Sequence, residues 1–240
     1  MVKDGFFILS AWSEVFWKAY RMTPFFLKAY DKGELEAVFP LFIVRTLWGK
    51  VFKMPFVDHY GLLFKIGLPL AKRHEIVSEF LSVLRDYMDD LGISHIEVRS
   101  LEGTGNNILL KHGFREDERY NHVSFIVKLH PHIARMWRSL RSSVRRSIRK
   151  AEKHGVEVHE AAGEVLDIFY DLYVRRLKKH GSPPHNKRFF ELVLRALGPD
   201  VVKIYVATYK GTPIASALFY QFARKLHYVQ GAHLEPYGIL

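Results

Sequence analysis

The sequence contains no cysteine. That removes thiolate nucleophiles, thiolate-bound zinc, iron–sulfur clusters and any disulfide framework. Long hydrophobic runs are missing too. The stretch from Ala37 to Val44 is of strand length and far short of a bilayer span. Acidic side chains are scarce beside basic ones, 25 against 36, which leaves a net charge of +11. Several motifs are also absent. There is no Gly-x-x-x-x-Gly-Lys-Ser/Thr loop, no dinucleotide fingerprint and no Gly-x-Ser-x-Gly elbow. Nucleoside triphosphate hydrolysis, hydride transfer and a hydrolase triad are therefore not expected. Thirteen histidines are present, but none stands in a His-Glu-x-x-His arrangement or beside clustered acids, so no metal site is expected.

The composition that remains is globular. Of 240 residues, 48% are hydrophobic and 14% aromatic, enough for one large domain or two small ones. The opening Met1-Val-Lys-Asp-Gly has an acid ahead of a short aromatic segment and no cleavage pattern, so the expected location is the cytoplasm. Charge is unevenly spread. Residues 1–130 hold 17 basic and 16 acidic side chains, whereas residues 131–240 hold 19 and 9. A half-chain at +10 points to a polyanionic partner: nucleic acid, a phosphorylated metabolite or an acidic membrane surface.

Periodicity sets the expected elements. Helices are expected over Ser10 to Met22, Ala71 to Leu91, Asn106 to His112, Ile133 to His154, Val165 to His180 and Lys187 to Leu197. Strands are expected over Phe25 to Tyr30, Leu35 to Arg45, Trp48 to Val57, Gly61 to Lys65, Ile93 to Arg99 and Val123 to Leu129. Further strands follow over Val156 to Glu160, Val201 to Tyr209, Ile214 to Phe222 and Leu226 to Gly231. Phe39, Leu41, Ile43, Ile96 and Val98 are the expected core of the first half.

The two halves echo each other. Phe26 to Gly33 leads through an Asp31-Lys32-Gly33 turn to a second strand, then to a strand ending at Gly61. Tyr205 to Gly211 leads through Lys210-Gly211 to a second strand, then to a strand ending at Gly231. Helices, a strand–Lys-Gly–strand hairpin and a third strand recur in one order, which favours a duplication. On that reading the second copy is unfinished. The first runs on for 68 residues from Gly61 to Leu129, while nine follow Gly231. Such a chain is expected to leave a sheet edge open, to associate through it, and to be a fragment or to complete its sheet with another chain.

Two basic clusters stand out. In Trp137 to Val156, residues Trp137, Leu140, Val144, Ile148 and Ala151 form an apolar stripe, while Arg138, Arg141, Arg145 and Arg149 line another face. Guanidinium groups stacked this way need anions among them, and only Glu152 is near in sequence, so phosphate or carboxylate binding is one reading. A solvated basic helix docked by its stripe is the other. The second cluster, Arg175 to Arg188, is a basic helix end followed by Gly181-Ser182-Pro183-Pro184. It suits phosphate binding at a cleft rim, or simply complements a helix C-terminus. The candidate binding residues are Arg145, Arg149, Arg176, His180, Lys187, Arg188 and Tyr228. No residue is assigned a catalytic role.

The series from Leu140 through Val144-Arg145-Arg146-Ser147-Ile148-Arg149-Lys150-Ala151-Glu152-Lys153-His154-Gly155-Val156 resembles the linker helix of the Fem-type (FemABX) transferases. Phe39-Pro40-Leu41 with Met54-Pro55-Phe56 and Tyr60-Gly61, Arg175 to Pro183, and Ile214-Ala215 with Tyr228-Val229-Gln230-Gly231 resemble the same family. The resemblance implies an α/β fold of tandem GNAT-like (acyl-CoA N-acyltransferase-like) domains with mixed sheets, the second incomplete. It implies a first domain over 1–130, a basic linker helix over 131–155 and a second domain over 156–240. It further implies an acyl or aminoacyl transferase that forms an amide on an amine of a phosphorylated cell-envelope-type precursor, peptide or sugar. No cofactor stays bound in that scheme; aminoacyl-tRNA or acyl-CoA serves as co-substrate. A GNAT coenzyme A site has a Gln/Arg-x-x-Gly-x-Gly/Ala loop, whereas Leu62 to Leu70 has none, which speaks against coenzyme A in the first domain. The expected partners are a phosphorylated acceptor, tRNA and a membrane surface in peripheral contact. A second reading is a non-catalytic basic module that binds RNA or an anionic membrane surface.

Overall fold

The computed structural model describes residues 10–54, 61–99, 106–117, 125–161 and 165–235. The chain forms two compact units, Met1–Arg119 and Tyr120–Leu240.

In the first unit, α1 (Ser10–Tyr20) is followed by β1 (Thr23–Asp31), β2 (Glu34–Thr46), β3 (Gly49–Lys53) and β4 (Leu63–Phe64). Then come α2 (Leu70–Leu91), β5 (Ile93–Glu97) and α3 (Asn106–Lys111). The sheet runs β1-β2-β3-β5, with β4 also paired to β2. The β3–β5 pairing is parallel and the others are antiparallel, so the sheet is mixed. Strand β2 is apolar on both faces because helices cover both. Ala37, Phe39 and Leu41 join Phe52, Ile76, Phe80 and Leu84 in the core cluster, while Phe42 meets the Phe16 ring of α1 edge-on at 5.3 Å. Phe39 and Leu41 are almost fully buried, and Ile43, Ile96 and Val98 pack half-buried against the same cluster. Helix α2 stops at Gly92, whose left-handed backbone closes the last turn.

The second unit contains α4 (Ile133–Ser139), α5 (Ser142–Lys153), β6 (Val156–Ala161), α6 (Leu166–Lys179), α7 (Lys187–Leu197), β7 (Val202–Tyr209), β8 (Thr212–Phe222) and β9 (Lys225–His233). Its sheet is an antiparallel meander, β6-β7-β8-β9. Val202, Ile204, Val206, Ile214, Leu218 and Tyr220 alternate inward along β7 and β8. Helices α6 and α7 supply Phe169, Leu172, Tyr173, Phe189, Phe190 and Val193 to the same core. Asn186 caps α7 by accepting from the Phe189 N–H at 2.8 Å.

The repeat holds in backbone detail. Both hairpins turn through Lys-Gly with positive φ at both positions, 47° and 84° at Lys32-Gly33 and 50° and 75° at Lys210-Gly211. This is the mirror-image turn that matches strand twist. Each hairpin then carries a one-residue bulge at the same offset. Ala29 faces Ala37 while Tyr30 faces Leu35, so Glu36 has no residue opposite; Ala207 faces Ala215 while Thr208 faces Pro213, so Ile214 has none. Even the bulge carbonyls are used alike: Glu36 O accepts from Lys65 N, and Ile214 O from Leu234 N. The registers place Leu62 rather than Gly61 at the position of Gly231.

Three expectations are corrected. The single helix over Ile133 to His154 is two helices, because Leu140 and Arg141 are extended (ψ 144° and 146°). The expected strand over Val123 to Leu129 is not one where it is described. Residues 125–129 pair with no strand, and Phe125 and Ile126 are 91% and 88% exposed. The strand expected from Trp48 to Val57 begins only at Gly49, since Trp48 lies in the turn after Thr46, and β3 ends at Lys53. Residues 55–57 lie outside the described residues, as does most of the Met54 to Gly61 motif.

Candidate functional site

The sequence-derived candidates all lie in the second unit, and its elements place them in three groups.

The first group is the basic helix pair. Helices α4 and α5 contain no fully buried residue. Arg145 points back along the chain, and its Nη1 donates to the carbonyls of Leu140 at 2.5 Å, Arg138 at 3.1 Å and Trp137 at 3.5 Å. These carbonyls close the end of α4 and its joint with α5, so the guanidinium takes the place of a C-terminal cap. The cation expected to need an anion has found neutral backbone acceptors instead. Arg149 lies over the Trp137 ring at 5.5 Å and remains exposed. Arg141 and Arg146 are exposed as well, so the pair presents a largely cationic surface.

The second group is the end of α6 against β9. Arg176 Nη1 donates to the Gly231 carbonyl. Lys179 pairs with Glu235, and that hydrogen bond holds the Glu235 carboxyl below the usual carboxylate range, with smaller help from His233 and His180. His180 is exposed just past the helix, and its N–H closes the last turn on Arg176 and Leu177. Tyr228 is 62% exposed, meets the Phe219 ring at 5.5 Å and rests its hydroxyl over Gly231.

The third group is the 181–186 loop and the start of α7. Tyr170 donates to the His185 carbonyl at 3.2 Å, and the His185 N–H donates to Tyr173 Oη at 3.1 Å. The loop is therefore pinned to α6. Burial pushes the Tyr173 hydroxyl up, the His185 N–H opposing part of that shift, and burial pushes the His185 imidazole down. Lys187 pairs with Asp167 at 2.5 Å, and this bond raises its ammonium above the usual lysine range. Arg188 is exposed.

The structure thus joins Arg176 to the neighbourhood of Tyr228 through Gly231, and His180 to Arg176 through the helix end. Arg145 is on α5, and Lys187 and Arg188 are on α7, where Lys187 is tied to α6 through Asp167. The sequence reading missed the two-tyrosine clamp on the loop. Its signal was the spacing of Tyr170 and Tyr173 on one helix ahead of a proline-containing loop. It also missed Glu160, which pairs with Lys203 at 2.9 Å and accepts from Tyr205 at 3.0 Å. Among the described residues no three histidine or carboxylate side chains gather as a metal site would need.

Residues 138–238 match the acetyltransferase (GNAT) domain family. UDP-N-acetylmuramoylpentapeptide-lysine N(6)-alanyltransferase of Weissella viridescens is 24% identical over 105 residues, 41% of this chain and 31% of that protein. The chain thus aligns with less than a third of this curated relative. The crystal structure of FemX superposes with a TM-score of 0.68 at 13% identity, covering 95% of this chain and 75% of that one. L-PGS from Bacillus licheniformis overlaps less closely, with a TM-score of 0.46 at 12% identity over 89% of this chain and 59% of its own. Residues 138–238 thus match a GNAT acetyltransferase domain, the chain is similar to Fem-type proteins, and its fold is GNAT-like, as the sequence resemblance implied.

Proposed function

We propose that this chain is a cytoplasmic N-acyl or aminoacyl transferase, taking aminoacyl-tRNA or acyl-CoA as donor and forming an amide on an amine of a phosphorylated cell-envelope-type precursor, peptide or sugar. The observation that carries this reading is the acetyltransferase domain match over residues 138–238, set within a FemX-like fold. An aminoacyl ester is already activated. Aminolysis then needs an amine held against the carbonyl, a route for its proton and donors toward the developing oxyanion. Positioning alone can supply much of that rate.

The exposed heads of Arg149, His180 and Arg188 are the groups we assign to phosphate contact, with Tyr228 lining the acceptor side. Arg145, Arg176 and Lys187 act one step back. Each spends its charge on a carbonyl or carboxylate of the protein and so fixes the elements that carry the others. The proposed domain limits are 1–130 and 156–240, with 131–155 as the cationic link. Association through the outer edge of β9, which pairs with no further strand among the described residues, belongs to the same proposal.

The test is a mass-spectrometric screen of amine acceptors with charged tRNA and with acyl-CoA. Amide product with one donor class supports the proposal and names the donor. The exposed cations of α4 and α5 also favour a second reading, a non-catalytic RNA- or membrane-binding module. A steep loss of RNA affinity with salt, in the absence of product from either donor, would select it.

A further inference from the structure

The β2–β3 hairpin ends in two large apolar side chains that stand in water. Leu47 is 97% exposed and Trp48 92%. They make the turn between the paired residues Thr46 and Gly49. The hairpin's outermost pairing with β1 is Ile43 to Thr23, and with β5 it is Lys50 to Ile93. The tip therefore projects past both neighbouring strands.

The turn is closed by hydrogen bonds of its own. Thr46 Oγ1 donates to the Gly49 carbonyl at 2.9 Å and accepts from the Trp48 N–H at 3.2 Å. Neither bond uses the Leu47 or Trp48 side chain. Turns favour glycine and short polar residues, and the matched turn of the second unit, between Phe222 and Lys225, is Ala223-Arg224. The repeat thus closes this turn without a large apolar side chain. Leu47 and Trp48 answer to something outside the fold.

The size of the tip selects among partners. An aromatic side chain buries about 150–250 Å², so with one leucine beside it the pair falls far short of the roughly 800 Å² per side of a standard protein interface. A lipid surface needs no complementary relief, and a tryptophan beside an aliphatic side chain suits its boundary with water. Charge agrees without deciding the matter. One step behind the tip, Arg45 faces Lys50 across the hairpin. Lys50 donates to the Leu91 carbonyl at 2.9 Å, and Arg45 is exposed. Asp89 and Asp90 precede Leu91 at the end of α2, so this end of the unit is not strongly cationic. The whole chain, at +11, is nevertheless drawn to an anionic leaflet.

We propose that the Leu47–Trp48 tip enters the headgroup region of an anionic lipid bilayer, with the indole at the boundary and the leucine reaching the acyl chains. One small apolar anchor binds a membrane only weakly, and the positive net charge supplies the second attraction. The contact belongs to the first unit, is made by residues outside the basic helix pair and does not depend on the transferase reading.

The probe is a vesicle of equal parts phosphatidylcholine and phosphatidylglycerol, co-sedimented with the full chain. Leu47→Ser with Trp48→Ser is expected to weaken binding about tenfold while leaving the melting temperature unchanged, since neither side chain is packed. A second measurement uses bromine-labelled lipid, which quenches only indoles that reach the bilayer. Quenching is expected for the unmodified chain and is expected to be largely lost in Trp48→Phe, which keeps an apolar tip and still binds. That result decides the matter if the double variant fails to fold. Absence of vesicle binding, full binding by a folded double variant, or quenching that survives in Trp48→Phe would overturn the proposal. Self-association that the double variant abolishes, without vesicle binding, would overturn it too and assign the tip to a second copy of the chain.

Discussion

The two sheets share a hairpin and differ in what covers them. In the first unit, the β2 face bearing Ala37, Phe39 and Leu41 lies under α2 and is sealed. The equivalent β8 face, set by the common turn and bulge, bears Ala215, Ala217 and Phe219, which are only half-buried. Tyr205, Phe219 and Tyr228 form an aromatic row across it, with ring centroids 5.7 and 5.5 Å apart. Helix α6 packs on β7, β8 and β9, with Leu218 and Tyr220 buried on the opposite face from that row. The third strand differs as well. It is continuous as β9 but divided into β3 and β4 in the first unit. Backbone pairing has thus been kept while helical cover and side-chain chemistry have diverged. A hydrogen-bonded hairpin tolerates either environment on that face.

Mutations at matched positions would break or sharpen this contrast. The largest expected effect is at Phe39. Its replacement by Ala should cost about 3–5 kcal/mol, because the cavity lies beneath α2 and cannot collapse. Phe219→Ala, on the open face, should cost about 1 kcal/mol, the value of its aromatic neighbours. Chemical denaturation of the two variants measures both, and equal losses would mean the second face is sealed in solution. Gly33→Ala and Gly211→Ala come next. Each forces a side chain into a left-handed turn, at about 1–2 kcal/mol, and the two penalties should agree if the turns are true equivalents. A loss at one and none at the other would separate the hairpins.

Smaller effects concern the second unit alone. Arg145→Ala should destabilise by about 1 kcal/mol through the uncapped carbonyls of α4. Arg149→Ala should leave the melting temperature nearly unchanged and weaken phosphorylated-ligand binding more. If Arg145→Ala weakened binding while leaving the melting temperature unchanged, the capping role would be wrong. The smallest effect is a pH dependence at His185. Burial holds its folded value below the ordinary 6.5, so the unfolded chain takes up the proton first as pH falls. Stability is therefore full above about pH 6.5 and declines below it until the folded ring titrates. The melting temperature should drop between pH 7 and pH 5.5, and less so in His185→Gln; parallel slopes would remove His185 as the cause.

Much of the fold was legible in the sequence, and particular residues show why. The face of α2 is written in Ile76, Phe80, Leu81 and Leu84, and its end in Gly92. The hairpins are written in Lys-Gly turns flanked by apolar strands. The break at Leu140-Arg141 was not legible, since Trp137, Leu140, Val144, Ile148 and Ala151 keep a helical spacing straight through it. The joint depends on a contact eight residues long, from Arg145 to the Trp137 carbonyl. Segment 125–129 has the aromatic and β-branched residues of a strand, Phe125, Ile126 and Val127, yet a strand also needs an edge to pair with. The partners of the candidate cations were least legible, for one physical reason. A sequence shows where cations are, but many of their acceptors here are carbonyls, which every residue possesses. Arg145 and Arg176 were therefore indistinguishable from Arg149 and Arg188 until the backbone was in view.

The Arg145 contact has a consequence for ionic strength. Added salt screens charge–charge attraction between exposed groups within about 10 Å at 0.1 M, and with it the hold of α4 and α5 on any polyanion. A guanidinium seated on carbonyl dipoles at hydrogen-bond range has no counter-charge for mobile ions to displace. Salt should therefore leave the elbow between the helices bent, so the exposed cations of α4 and α5 keep their arrangement as ionic strength rises.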